Sequence, residues 1–145
     1  MTNPVTIIMV EDDEGHARLI ERNIRRSGVN NEILPFTDGT SAVNYLFGKD
    51  GTGSAHKGQA LLVLLDLNLP AIGGLEVLRR IRADDRFRRL PIVILTSSNE
   101  DSDKLAGYGL GANSYVRKPV DFRQFSEAVT QLGLYWMLVN EPPPR

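Results

Sequence analysis

Leu61-Leu62-Val63-Leu64-Leu65-Asp66-Leu67-Asn68-Leu69-Pro70 is the most informative stretch of the chain. Five consecutive apolar residues run into a carboxylate. So short a run, without alternation, suits a strand covered on both faces. Pro70 and Gly73-Gly74 stop it and start a new segment. Asp66 therefore falls at the carboxyl end of a buried strand, the edge at which open α/β sheets bind ligands. An Asp that merely caps the next turn fits this stretch equally well, so the choice rests on the rest of the chain.

The same pattern recurs on either side. Val5 to Val10 is apolar and β-branched and meets Glu11-Asp12-Asp13, a second buried strand ending in carboxylates. A helix is predicted from about Asp13 to Ser27, with Ala17, Ile20 and Ile24 on one stripe and Arg18, Glu21 and Arg25 outside. Asp12 or Asp13 caps it, and Gly28 ends it. Asn31 to Phe36 reads as a strand, and Thr37-Asp38-Gly39 leads into a helix carrying Ala42, Val43, Leu46 and Phe47. Gly48 to Gly58 holds four glycines and no periodicity, which makes it a long surface loop. A helix from Gly74 to Ala83 is expected to turn Leu75, Leu78 and Ile81 inward.

Asp84 to Arg89 reads as a charged loop. Pro91 to Leu95 is a fourth buried strand, ending at Thr96-Ser97-Ser98. Glu100 to Leu110 is a fourth helix, weakened by Gly107 and Gly109 at up to about 1 kcal/mol each. Asn113 to Val116 is a fifth strand running into Arg117-Lys118-Pro119, and a fifth helix spans Asp121 to about Leu138. The order is (βα)5. Such alternation implies an α/β fold, a doubly wound parallel sheet with helices on both faces. The pattern alone leaves the strand order open.

Composition narrows the classes. At 145 residues the chain reads as one domain, residues 1–145, with a core at about 5–138 and a Pro-rich tail at 139–145. A net charge of −1 supplies no basic field for nucleic acid. The absence of cysteine excludes disulfides, zinc–thiolate sites and a thiol nucleophile. No apolar run approaches the length of a membrane span, and Met1 to Val5 has no signal-peptide pattern. A cytoplasmic location is expected.

Polar residues cluster at the carboxyl ends of four strands: Glu11 and Asp12, then Asp66, then Thr96, then Lys118. In a parallel sheet these ends share one edge. Neighbouring carboxylates repel, and one takes up a proton unless a cation is present. Mg2+ (or Mn2+) answers this, because it prefers oxygen ligands and is commonly held by one or two carboxylates plus a phosphate oxygen. A lysine and a hydroxyl complete a site for a phosphoryl group, and a carboxylate nucleophile would give an aspartyl phosphate.

With these motifs the chain resembles the receiver domains of two-component response regulators. Glu11-Asp12, Asp66 in Leu-Asp-Leu-Asn-Leu-Pro, Thr96-Ser97, Lys118-Pro119 and the aromatic Tyr115 carry the resemblance, over about residues 5 to 138. It implies the flavodoxin-like strand order 2-1-3-4-5. It implies that Asp66 accepts a phosphoryl group from a phosphohistidine on a sensor histidine kinase. Asp12 and Asp66 would hold Mg2+ by their side chains and Asn68 by its backbone carbonyl, with Glu11 acting through water. Glu11 departs from the family's commoner Asp. Lys118 would pair with the acyl phosphate, and the bond to Pro119 would be cis. Thr96 and Tyr115 would switch on phosphorylation, repacking the face formed by the fourth helix, fifth strand and fifth helix.

Softer features extend the resemblance to the stand-alone regulators that partner bacterial phytochromes. They are Val10-Glu11-Asp12-Asp13, the loop from Gly48 to Gly58, and Tyr135-Trp136 followed by Asn140-Glu141-Pro142-Pro143-Pro144. A phytochrome-type kinase is then the expected partner. Phe122, Phe125, Val129, Leu132 and Trp136 form one apolar stripe, and Leu134, Tyr135, Leu138 and Val139 spread apolar surface round the helix. The expectation is a homodimer through the fourth helix, fifth strand and fifth helix, or else a tail folded onto its own domain.

The rival readings are weaker. A haloacid-dehalogenase-type phosphatase needs a carboxylic acid two positions after the nucleophile, where this chain has Asn68. No Gly-rich dinucleotide turn follows the first strand. The chain is therefore read as a signalling switch, not an enzyme, with relay of the phosphate for a different kinase as the alternative. Asp13 is expected as an exposed helix-start carboxylate, and His16 and His56 as surface residues with no partner that would make a relay.

Overall fold

The structure is a computed structural model that describes residues 5–48, 60–96, 109, 111–118 and 122–131. The strands are β1 (Thr6–Val10), β2 (Ile33–Phe36), β3 (Leu61–Asp66), β4 (Ile92–Thr96) and β5 (Ser114–Arg117). The helices are α1 (Glu14–Arg26), α2 (Gly39–Phe47), α3 (Gly74–Arg82) and α4 (Phe122–Gln131), with a 3-10 turn at Asp85–Phe87. All strand pairs are parallel, in the order β2-β1-β3-β4-β5. This is the expected flavodoxin-like strand order.

The unbroken apolar runs reflect two covered faces. Ile7, Met9, Leu62, Leu64, Val93, Leu95 and Val116 point to one side, where α1 and α4 contribute Ile20, Ile24, Phe125 and Ala128. Ile8, Val10, Val63, Leu65, Ile92 and Ile94 point to the other, against Ala42, Val43, Leu46, Val77, Leu78 and Ile81 of α2 and α3. Edge strand β2 is only partly buried and exposes Pro35, whose missing N–H discourages pairing with another chain.

Caps fix where the helices begin. Of the two expected candidates it is Asp13 that caps α1, its Oδ1 accepting the His16 N–H at 2.9 Å. Gly28, at φ 92°, turns the chain away at the other end. Asp38 caps α2 through the Ser41 N–H at 2.7 Å.

Several local expectations need correction. Leu75 is half-buried, and Val77 takes its place in the core. The cause is that α3 begins at Gly74, whose backbone abuts β3: a Cβ there would lie 2.2 Å from the Asp66 carbonyl oxygen. The buried stripe is thus Gly74, Val77, Leu78 and Ile81. The expected charged loop contains the 3-10 turn, and its Phe87 is buried with its ring stacked 5.6 Å from that of Phe47. The loop from Gly48 to Gly58 lies outside the described residues except for Gly48. So do the fourth predicted helix, apart from Gly109, and the chain after Gln131. Among the described residues no helix is long and apolar enough to cross a membrane.

Arg82 secures the amino-terminal edge of the sheet. It donates to the carbonyls of Gly111 at 2.9 Å and Phe87 at 2.7 Å, and to Asn113 Oδ1 at 2.8 Å. Asn113 Oδ1 also accepts the Ile92 N–H at 2.9 Å, which ties the starts of β4 and β5 to the end of α3.

Candidate functional site

The opposite, carboxyl edge collects the predicted polar residues. Val10 is in register with Leu65, so the residues that follow, Glu11 and Asp66, leave neighbouring strands side by side. Thr96 ends β4 in register with Arg117 of β5, and Lys118 follows directly. One carboxylate oxygen from each of Glu11, Asp12 and Asp66 lies within 4.8 Å of the others. Glu11 and Asp66 are both 2% exposed, whereas Asp12 faces solvent.

Lys118 joins the two buried acids. Its Nζ lies 2.5 Å from Glu11 Oε2 and 3.2 Å from Asp66 Oδ2. The second oxygen of each acid accepts a backbone N–H: Asp66 Oδ1 from Asn68 at 3.1 Å, and Glu11 Oε1 from Asp13 at 3.2 Å. Burial pushes the Glu11 pKa above its ordinary value, with the Asp66 charge adding to the rise and the Lys118 hydrogen bond opposing it. Burial also disfavours the charge on Lys118, but the Glu11 hydrogen bond and the pull of both acids outweigh it and raise the lysine pKa.

Three carboxylates against one ammonium leave the ionised pocket with two negative charges in excess. All the candidate donors are hard oxygens, the set that Mg2+ or Mn2+ prefers. The residues present therefore fit such an ion.

Two features escaped the sequence reading. The Glu11–Lys118 pair joins residues 107 apart in the chain, a separation at which no local pattern operates. His16 lies at the surface as expected, 58% exposed, but its Nδ1 comes within 3.8 Å of Glu11 Oε1, an approach the sequence did not indicate, where the Asp13 cap starts the first turn of α1. The Thr96 and Tyr115 side chains, Pro119 and His56 lie outside the described part.

Residues 7–130 match the family described as the response regulator receiver domain. The chain belongs to that family. Receivers are signalling proteins served by histidine kinases, and they bind Mg2+ or Mn2+ at an acidic pocket of the kind Glu11, Asp12 and Asp66 form here. Among curated relatives, "Probable methanogenesis regulatory protein FilR2" of Methanothrix harundinacea is 38% identical over 141 residues, 97% of this chain and 89% of the relative. Response regulator Rcp1 of Synechocystis is 31% identical over 134 residues, 92% of this chain and 90% of its own. Among solved structures, a receiver domain from Rhodospirillum rubrum is 53% identical, with a TM-score of 0.77 and coverage of 94% of this chain and 96% of that one. The bacteriophytochrome response regulator RtBRR is 44% identical, with a TM-score of 0.79 and coverage of 96% and 84%. Rcp1 itself was solved in a Mn2+-bound form, with 30% identity, a TM-score of 0.70 and coverage of 98% and 100%.

Proposed function

We propose that this receiver accepts a phosphoryl group on Asp66 from a phosphohistidine of a sensor histidine kinase. One observation carries the reading: Asp66 is buried at a strand end, with Lys118 at 3.2 Å and two further carboxylates beside it. An Asp66 oxygen attacks phosphorus, the P–N bond breaks, and its electron pair stays on the imidazole nitrogen, which is protonated. Lys118 moves from its two carboxylates onto a phosphoryl oxygen and offsets the charge gained there. Asp12, Asp66 and the Asn68 backbone carbonyl would hold the divalent ion, with Glu11 reaching it through water; the ion supplies charge neutralisation at the transferring group. Burial of Asp66 keeps bulk water from the acyl phosphate.

The added charge then works as a signal. Thr96 donates its hydroxyl to the new oxygens, and Tyr115 turns into the space Thr96 leaves. The cis bond at Lys118–Pro119 belongs to the same proposal. The face around β5 repacks to change its protein contacts, and a second copy of the chain is the partner proposed there, beside the kinase. The likeness to the bacteriophytochrome response regulator RtBRR supports a phytochrome-type kinase as the phosphoryl donor. Asn68 carries no acidic proton, which disfavours the phosphatase alternative.

Incubation with acetyl phosphate and Mg2+ tests the acceptor role by intact mass. The expected result is a gain of about 80 Da, one phosphoryl group, on the wild type and none on Asp66→Asn. A gain on the variant, or on neither protein, overturns it.

A further inference from the structure

We propose that the arginine-rich turn between α3 and β4 docks an acidic segment of a partner protein, at the sheet edge opposite Asp66. The chain carries a net charge of −1, yet residues 79–89 read Arg-Arg-Ile-Arg-Ala-Asp-Asp-Arg-Phe-Arg-Arg. Arg82 is turned inward, onto the carbonyls of Gly111 and Phe87. Arg79, Arg80, Arg86, Arg88 and Arg89 are exposed, against the acids Glu76, Asp84 and Asp85, so the surface holds two positive charges in excess. Arg86, Arg88 and Arg89, with Asp85, line a surface cavity of about 420 Å3. Arg86 is held in place there. Its guanidinium donates to the two oxygens of Asp84 at 2.9 and 2.6 Å, and its Cζ lies 5.5 Å from the Phe87 ring centre and 5.7 Å from that of Phe47.

The surface already displays the pairing it offers. Arg79 takes the two oxygens of Glu76 at 2.7 and 2.5 Å, the same fork-to-carboxylate geometry as Arg86 with Asp84. Two guanidinium groups remain for a partner. Arg89 has no ion pair or hydrogen bond among the described residues. Arg88 meets Asp85 at 2.7 Å, but their side chains are 72% and 88% exposed, so the pair is weak and can exchange one carboxylate for another. Separate side-chain carboxylates suit this surface better than a nucleic-acid backbone. Asp84 and Asp85 interrupt the positive charge, and the Phe87 ring is buried, which leaves no stacking face there. The position suits a tether. The five residues of β4, about 16 Å of strand, separate the turn from the carboxyl edge, so a partner seated here leaves Asp66 open.

Fluorescence anisotropy of the full chain with a labelled octa-glutamate peptide tests this, at low ionic strength and again with added salt. The proteins are wild type, the double variant Arg88→Gln with Arg89→Gln, and a control, Arg18→Gln with Arg22→Gln, which removes the same charge from exposed positions of α1. The first variant is expected to bind about fivefold or more weakly, and the α1 control within about twofold of wild type. Wild-type affinity should fall as salt rises. Both substituted arginines are exposed, so circular dichroism and the phosphoryl mass gain of the first variant should match the wild type. That keeps loss of docking distinct from loss of the fold and from failure of Asp66 as the acceptor. An equal loss in both variants reports net charge alone and overturns the proposal, as does no binding at low salt. A single-stranded oligonucleotide that binds more tightly than the peptide, and loses affinity in the first variant, overturns it in favour of nucleic acid.

Discussion

Glu11 and Lys118 show how the pocket stays charged yet buried. An isolated buried carboxylate takes up a proton, but Lys118 offers one ammonium to two of them. The balance is incomplete, and Glu11 is left with a raised pKa. The sign follows from proton linkage. The native state binds the Glu11 proton more tightly than the unfolded chain, so that stabilisation is present below the ordinary value of 4.5 and is lost as pH rises through the raised value. A cation reverses the preference, because its binding expels the proton. Mg2+ affinity should therefore begin to fall at a higher pH on acidification than ordinary carboxylates would give, with proton release on binding. Calorimetry in buffers of different ionisation enthalpy reads that release, and Glu11→Gln should flatten the dependence. Equal pH profiles for the two proteins would show that Glu11 plays no part.

The connection from β3 into α3 follows Asp66, and two small residues, Ala71 in the loop and Gly74 at the start of α3, have opposite needs. Ala71 has φ 62°, a left-handed conformation that costs an L-residue about 1–2 kcal/mol. Gly74 sits where a Cβ would collide with the Asp66 carbonyl oxygen. Ala71→Gly should stabilise the protein by about 0.5–1 kcal/mol, because relief of the strain exceeds glycine's entropic cost. Gly74→Ala should destabilise it by about 2–3 kcal/mol and slow phosphorylation, because α3 must shift against the strand that carries the acceptor. Urea denaturation measures both, and a neutral Gly74→Ala would refute the close packing. The same loop marks where sequence reading stops short. The strand Leu61–Asp66 was legible because both its faces are covered, so an unbroken apolar run was the only signal required. The choice of Val77 over Leu75 was not, because it depends on how closely the helix start approaches a carbonyl.

At the scale of the whole molecule, the parallel order brings residues distant in sequence to one edge of the sheet. Glu11 and Lys118 meet because β1 and β5 end on that edge, a consequence of topology that no motif spells out. The residue types at the strand ends were legible one by one; the approach of His16 to Glu11 appears only once the α1 cap is built. The proposed pairing of two copies also belongs to this scale. Sedimentation should show a dimer at micromolar concentrations, and a monomer at high micromolar concentration, with and without phosphorylation, would refute it.

The central claim is that Asp66 carries the phosphoryl group, and trapping tests it most directly. Borohydride reduction of the phosphorylated protein converts an acyl phosphate side chain to an alcohol and releases phosphate. Peptide mass analysis is predicted to find homoserine at position 66 and unmodified Asp12 and Glu11. Homoserine at Asp12, or reduction of an Asp66→Asn protein at any other carboxylate, would contradict the account.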